Sequence, residues 1–214
     1  MNPKTLQALA RADRTLARLI KRVGPCTLKP RRSSPAGVPW PYAALVETIT
    51  YQQLTGRVAA TIFSRVKALF PHRAFPTPEE LRDIPEEHLR GAGLSRAKTA
   101  ALKDIAAKTL SEVVPAPRQL QAMTDAEIIE RLTQIRGVGP WTVEMLLMFR
   151  LGRPDVLPAT DYGVRKGFAL VYGREELPAP AELLAFGERW RPYRTTAAWY
   201  LWRALDTPAL GKSK

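Results

Sequence analysis

A four-residue turn, Gly137-Val138-Gly139-Pro140, joins two stretches of helical periodicity, and nothing else in the chain limits the fold so tightly. Upstream, Thr124-Asp125-Ala126-Glu127 has the Thr-x-x-Glu pattern in which hydroxyl and carboxylate cap each other's amides, so a helix begins at Asp125. Ile128, Ile129, Leu132 and Ile135 recur at helical spacing and give it an apolar side. The two glycines end it. Pro140 suits the first turn of the next helix, where the amide it lacks would have no partner. Val143, Leu146, Leu147 and Arg150 are expected along one side of that second helix. A Gly-x-Gly turn before a helix points several amides one way, beside the positive end of a helix dipole. That suits a phosphate, but taken alone it is equally an ordinary helix-helix turn.

Further helices are expected over 4–23, 43–53, 56–69, 78–83, 96–111, 161–172 and 194–205, with a turn at 86–90, a helix after Pro180 and a connection at 112–123. No stretch reads as a strand and no internal repeat is visible, so the fold class is all-α. Asp161 follows a proline-containing loop and opens a helix, where the dipole favours its ionised form. An ordinary N-cap aspartate would look the same.

Charge narrows the partner. The chain has 214 residues and carries 33 Lys+Arg against 20 Asp+Glu, a net +13, which favours a polyanion, most often nucleic acid. Lys29, Arg31 and Arg32 lie in a proline- and serine-rich basic loop that suits phosphate contact or plain solvation. Cys26 is the only cysteine, which excludes an intrachain disulfide and a four-cysteine zinc or iron-sulfur site. No run reaches transmembrane length and the start lacks a signal-type apolar core. A reducing cytoplasm is the expected location, with nucleoid association in a bacterium, no membrane contact and a monomeric state.

Ile135–Thr142, IRGVGPWT, followed by Leu157–Tyr162, LPATDY, resembles the helix-hairpin-helix (HhH-GPD) DNA glycosylase superfamily. The GPWT and DY variants without cluster cysteines are similar to its 3-methyladenine DNA glycosylase II branch, and GLSRAKTAAL from Gly93 fits the same branch. The resemblance implies two helical lobes with the active-site cleft between them. One lobe is 43–147, holding most of the hairpin region 125–150; the other combines 1–42 and 148–214. It implies a damaged double-stranded DNA partner, with Asp161 as the catalytic carboxylate. The expected activity is hydrolytic release of alkylated purines, of the 3-methyladenine and 7-methylguanine type, from flipped nucleotides.

By the same resemblance Trp141, Tyr162, Trp202 and Met145 line the base pocket, Met145 standing where the best-known relatives have an aromatic. The Gln52-Gln53-Leu54-Thr55 segment supplies the wedge, Leu54 or Thr55, with Gln53 beside it. The amides of Gly137 and Gly139 grip a phosphate. Carbonyls of Thr133, Ile135 and Val138 hold a structural sodium, potassium or magnesium ion. Ser95, Arg96 and Lys98 touch the other strand, although a solvent-facing helix start explains them as well. Catalysis needs no cofactor. Lyase members of the superfamily carry a Schiff-base lysine at the position of Trp141, so this chain is expected to leave an abasic site uncut. Alternatives are a glycosylase for uracil, hypoxanthine or other neutral lesions, or a hairpin DNA-binding module without activity.

Overall fold

The computed structural model describes residues 3–30, 38 and 40–207, and Arg31 and Arg32 lie outside them. Among the described residues every regular element is helical. The helices are α1 (Pro3–Ala12), α2 (Arg14–Val23), α3 (Trp40–Tyr51), α4 (Gly56–Ala68), α5 (Pro78–Asp83), α6 (Glu86–Gly91), α7 (Arg96–Leu110), α8 (Pro117–Ala122), α9 (Asp125–Leu132), α10 (Pro140–Leu146), α11 (Tyr162–Tyr172), α12 (Pro180–Gly187) and α13 (Arg194–Leu205). None is long and apolar enough to cross a membrane.

The chain divides into two compact units, 1–31 with 147–214 and 32–146. The expected divisions were 42/43 and 147/148. α3 begins at Trp40, and its first three residues, Trp40, Pro41 and Tyr42, are already buried. In the 32–146 unit α3 is buried on nearly every side, including Leu45, Val46 and Ile49, and packs on α7. A helix apolar all round must lie inside. Lys103 caps the end of α5 by donating to the carbonyls of Arg82 (2.7 Å) and Ile84 (2.5 Å). The 112–123 stretch contains α8, whose Gln119 side chain accepts from the Ala116 amide.

The other unit is built around α11 and α13. The helix expected over 4–23 is two helices, interrupted at Asp13. Asp13 N-caps α2, its Oδ1 accepting from the amides of Thr15 and Leu16, both at 2.9 Å. Its Oδ2 accepts from the Tyr172 hydroxyl (2.6 Å) and the Trp190 indole (3.1 Å), which ties the first helices to the aromatic cluster of Phe168, Tyr172, Phe186 and Trp190. Burial alone would raise the Asp13 pKa; together the four hydrogen bonds overcome this and hold it below the usual range.

Candidate active site

The hairpin forms as its residues dictate. Thr124 and Glu127 make the reciprocal cap, the Glu127 amide donating to Thr124 Oγ1 (3.3 Å) and the Thr124 amide to Glu127 Oε2 (2.7 Å). After α9 the Val138 amide donates to the Ile135 carbonyl at 3.0 Å and closes the turn. Gly137 has φ +77, and a Cβ there would lie 3.3 Å from that of Ala101, so this glycine serves both backbone and packing. Gly139 is different. An added Cβ would meet nothing within 4 Å and its φ is not positive, so the surrounding chain does not demand glycine. A glycine in open space leaves the backbone accessible to an external group. Asp104 fixes the turn from α7, its carboxylate accepting from the Arg136 amide at 2.7 Å.

The wedge segment belongs to the same unit. Gln53, at the bend after α3, has φ +56, uncommon for a non-glycine residue. Gln53, Leu54 and Thr55 are exposed, Leu54 by 38%. Leu54 is therefore not a core residue. Thr55 opens α4 without a side-chain cap. The Gln52 amide nitrogen donates to the carbonyl of Gly137 (3.3 Å) and the hydroxyl of Thr142 (3.2 Å).

Ser95 and Lys98 have roles within the protein. Ser95 caps α7 by accepting from the Lys98 amide at 3.2 Å. The Lys98 ammonium donates to the carbonyls of Thr50 (2.8 Å) and Gln52 (2.6 Å), and burial lowers its pKa. Its charge is committed to the C-terminal end of α3, where carbonyls lack helical partners. Sequence spacing carries no sign of that contact.

In the other unit Asp161 is the N-cap of α11. One oxygen, Oδ1, accepts two bonds of 2.8 Å, from the Val164 amide and the Trp202 indole nitrogen. Glycines let α13 come close enough for this. A Cβ on Gly163 would lie 2.9 Å from Trp202 Cδ1 and 3.1 Å from Asp161 Oδ1; one on Gly167 would lie 2.0 Å from the Leu201 carbonyl oxygen. The preceding loop is fastened to the start of α13: Thr195 Oγ1 donates to the Arg153 carbonyl (2.7 Å) and accepts from the Val156 amide (2.9 Å). Arg194 donates to Asp155 beside it.

The second helix of the hairpin departs from expectation. After α10 the chain makes a π-helical turn, Leu147–Leu151, in which a wider hydrogen-bond step slips the buried side by one residue. Leu151 is buried at its end, while Arg150, expected on the same side as Val143, Leu146 and Leu147, is half-buried where those three are buried. The turn also places Phe149, which the sequence reading missed, against Trp202 in a stack with centroids 5.9 Å apart. Of the other pocket candidates, Trp141 is 39% and Tyr162 63% exposed, and Met145 is half-buried. The Lys166 ammonium stands 5.7 Å from the centre of the Tyr162 ring.

Residues 46–192 match the family model described as HhH-GPD superfamily base excision DNA repair protein. The chain is 41% identical over 195 residues to DNA-3-methyladenine glycosylase 1 of Schizosaccharomyces pombe, covering 91% of this chain and 84% of that protein. It is similar to the solved structure of the S. pombe 3-methyladenine DNA glycosylase in complex with abasic DNA, with TM-score 0.83, 39% identity and coverage of 99% and 100% of the two chains. The DNA-3-methyladenine glycosidase of Bacillus halodurans superimposes with TM-score 0.84 at 33% identity, covering 96% of this chain and 90% of that one.

Proposed function

The chain belongs to the HhH-GPD superfamily of base excision DNA repair proteins, and from that premise we propose that it is a monofunctional DNA glycosylase releasing alkylated purines. The observation that carries the reading is Asp161, held through one oxygen by the Val164 amide and the Trp202 indole at the start of α11. Two donors to the same oxygen fix the orientation of the carboxylate and restrict its rotation.

Rupture of an N-glycosidic bond develops positive charge on the sugar, as in glycoside hydrolysis. In the proposed mechanism the Asp161 carboxylate lies under C1′ and stabilises that charge, then orients or deprotonates the water that completes displacement. Asp161 thus meets the positive charge directly. An N3- or N7-alkylated purine departs as a neutral base, so no second acid is required. Trp141, Tyr162 and Trp202 offer π faces that attract the cationic base, each worth about 0.5–2 kcal/mol. Met145 adds a polarisable, adaptable wall.

Outside the pocket, the amides of Gly137 and Gly139 take a backbone phosphate, and the open space at Gly139 supports this assignment. Leu54 or Thr55, beside Gln53, fills the stack left by the flipped nucleotide, supported by their exposure at the bend after α3. The carbonyls of Thr133, Ile135 and Val138 are neutral oxygen donors suited to a hard sodium, potassium or magnesium ion. Such an ion would steady the turn that grips DNA. Tryptophan at 141 has no amine to attack the sugar, hence a glycosylase without lyase action.

Methylated duplex DNA is incubated with wild type and Asp161→Asn, and the freed bases are identified by chromatography. Release of 3-methyladenine and 7-methylguanine by wild type and its collapse in the variant are expected; equal release by both refutes the assignment. Strand nicking without alkali would contradict the monofunctional reading, and preferential release of uracil would overturn the substrate class.

A further inference from the structure

Gln52 bends away from the exposed tip that follows it. Its amide nitrogen reaches the carbonyl of Gly137, 85 positions on, and the Thr142 hydroxyl in the first turns of α10. The carbonyl of Gly137 accepts only, so the atom facing it must be the NH2 of the glutamine. The backbone of Gln52 is fastened as well, its carbonyl and that of Thr50 both receiving the Lys98 ammonium. Gly137 itself packs against Ala101 of α7 and Ile49 of α3. Gln53 then takes its positive φ, and Leu54 and Thr55 follow in the open.

The Gln52 side chain thereby joins bend and hairpin. We propose that Gln52 is a positioning residue that couples the inserting tip, Gln53 to Thr55, to the phosphate-gripping turn, so that seating the hairpin on the DNA backbone aims the tip into the base stack. This rests on the glycosylase reading. It adds that Gln52 acts during extrusion of the nucleotide and has no part in bond cleavage. Extrusion from a paired stack is costly, and far less so from a mismatch, bulge or single strand.

The test compares lesion release by wild type, Gln52→Ala and Gln52→Glu on two substrates, one with the lesion paired in duplex and one with it in an unpaired bulge. Gln52→Glu presents an acceptor to the Gly137 carbonyl and is the more disruptive change. On paired duplex a fall in kcat/KM of about tenfold is expected for Ala, in line with loss of the two hydrogen bonds from its amide nitrogen, and a larger fall for Glu. On the bulge both variants return to within about twofold of wild type, because an extruded base needs no aiming. A 2-aminopurine placed opposite the lesion in the paired duplex reports insertion independently of cleavage, and its fluorescence rise is expected to be slowed in both variants. Thermal melting confirms that the variants fold. Equal losses on both substrates, or no loss on the paired one, overturn the inference. Wild type inactive on both substrates overturns the glycosylase reading and this inference with it.

Discussion

Gly163→Ala tests how the carboxylate is held. The new methyl would lie 2.9 Å from Trp202 Cδ1 and 3.1 Å from both Trp202 Nε1 and Asp161 Oδ1, too close for the indole to keep its place. A side chain yields more readily than backbone, so Trp202 withdraws and its 2.8 Å bond to Asp161 is lost. A hydrogen bond to a charged group contributes about 1.5–3 kcal/mol, so kcat should fall roughly 10- to 100-fold if the bond is needed in the transition state. Crowding costs about 1–3 kcal/mol of stability, and for a chain of this size each kcal/mol lowers Tm by about 2–4 °C. Trp202→Phe removes the donor without adding a methyl and retains a ring for Phe149 to stack on. Single-turnover release of 7-methylguanine from duplex DNA measures each variant and the pair. If Gly163 acts through Trp202, the double variant is about as slow as Trp202→Phe alone. Multiplying defects, or a Gly163→Ala enzyme within twofold of wild type, would refute the reasoning.

Gly167→Ala should damage the fold instead, because its methyl would meet the backbone oxygen of Leu201 at 2.0 Å and α11 and α13 would have to part. A fall in Tm of 5 °C or more, read by calorimetry, corresponds to about 2 kcal/mol. Gly139→Ala is the converse: its methyl has open space, so Tm should stay within about 1 °C while DNA affinity, measured by fluorescence anisotropy, falls because the phosphate can no longer approach. For Asp13 the folded pKa lies below the ordinary carboxylate value. Its stabilisation is therefore fully present above that ordinary value, about 3.9, and disappears as pH falls through the lower folded one. Tm measured from neutral pH downward should fall more steeply in wild type than in Asp13→Asn, and parallel curves would contradict this.

What sequence made legible was local. The Thr124 cap depends on residues three apart, and it formed. The cap at Asp161 and the limits of α13 needed only neighbouring residues. The break at Asp13 had a local sign, an aspartate within an apolar period, but periodicity alone ran through it. Other features depend on partners far along the chain. Gly163 and Gly167 reveal their use only against α13, Lys98 only against the end of α3, and Gln52 only against the hairpin. The π-helical turn was hidden for another reason: one extra residue in a helical turn leaves composition unchanged while shifting each later side chain around the axis.

The tie between the 153–161 loop and α13 bears on redesign. Thr195 anchors one end of that loop and Trp202, two helical turns later, holds the other, so a single rigid rod sets the position of the Asp161 carboxylate. Changing the loop's length by one residue would move the Asp161 carboxylate away from the Trp202 indole. A redesign of this unit should therefore keep α13 and the length of the 153–161 loop constant.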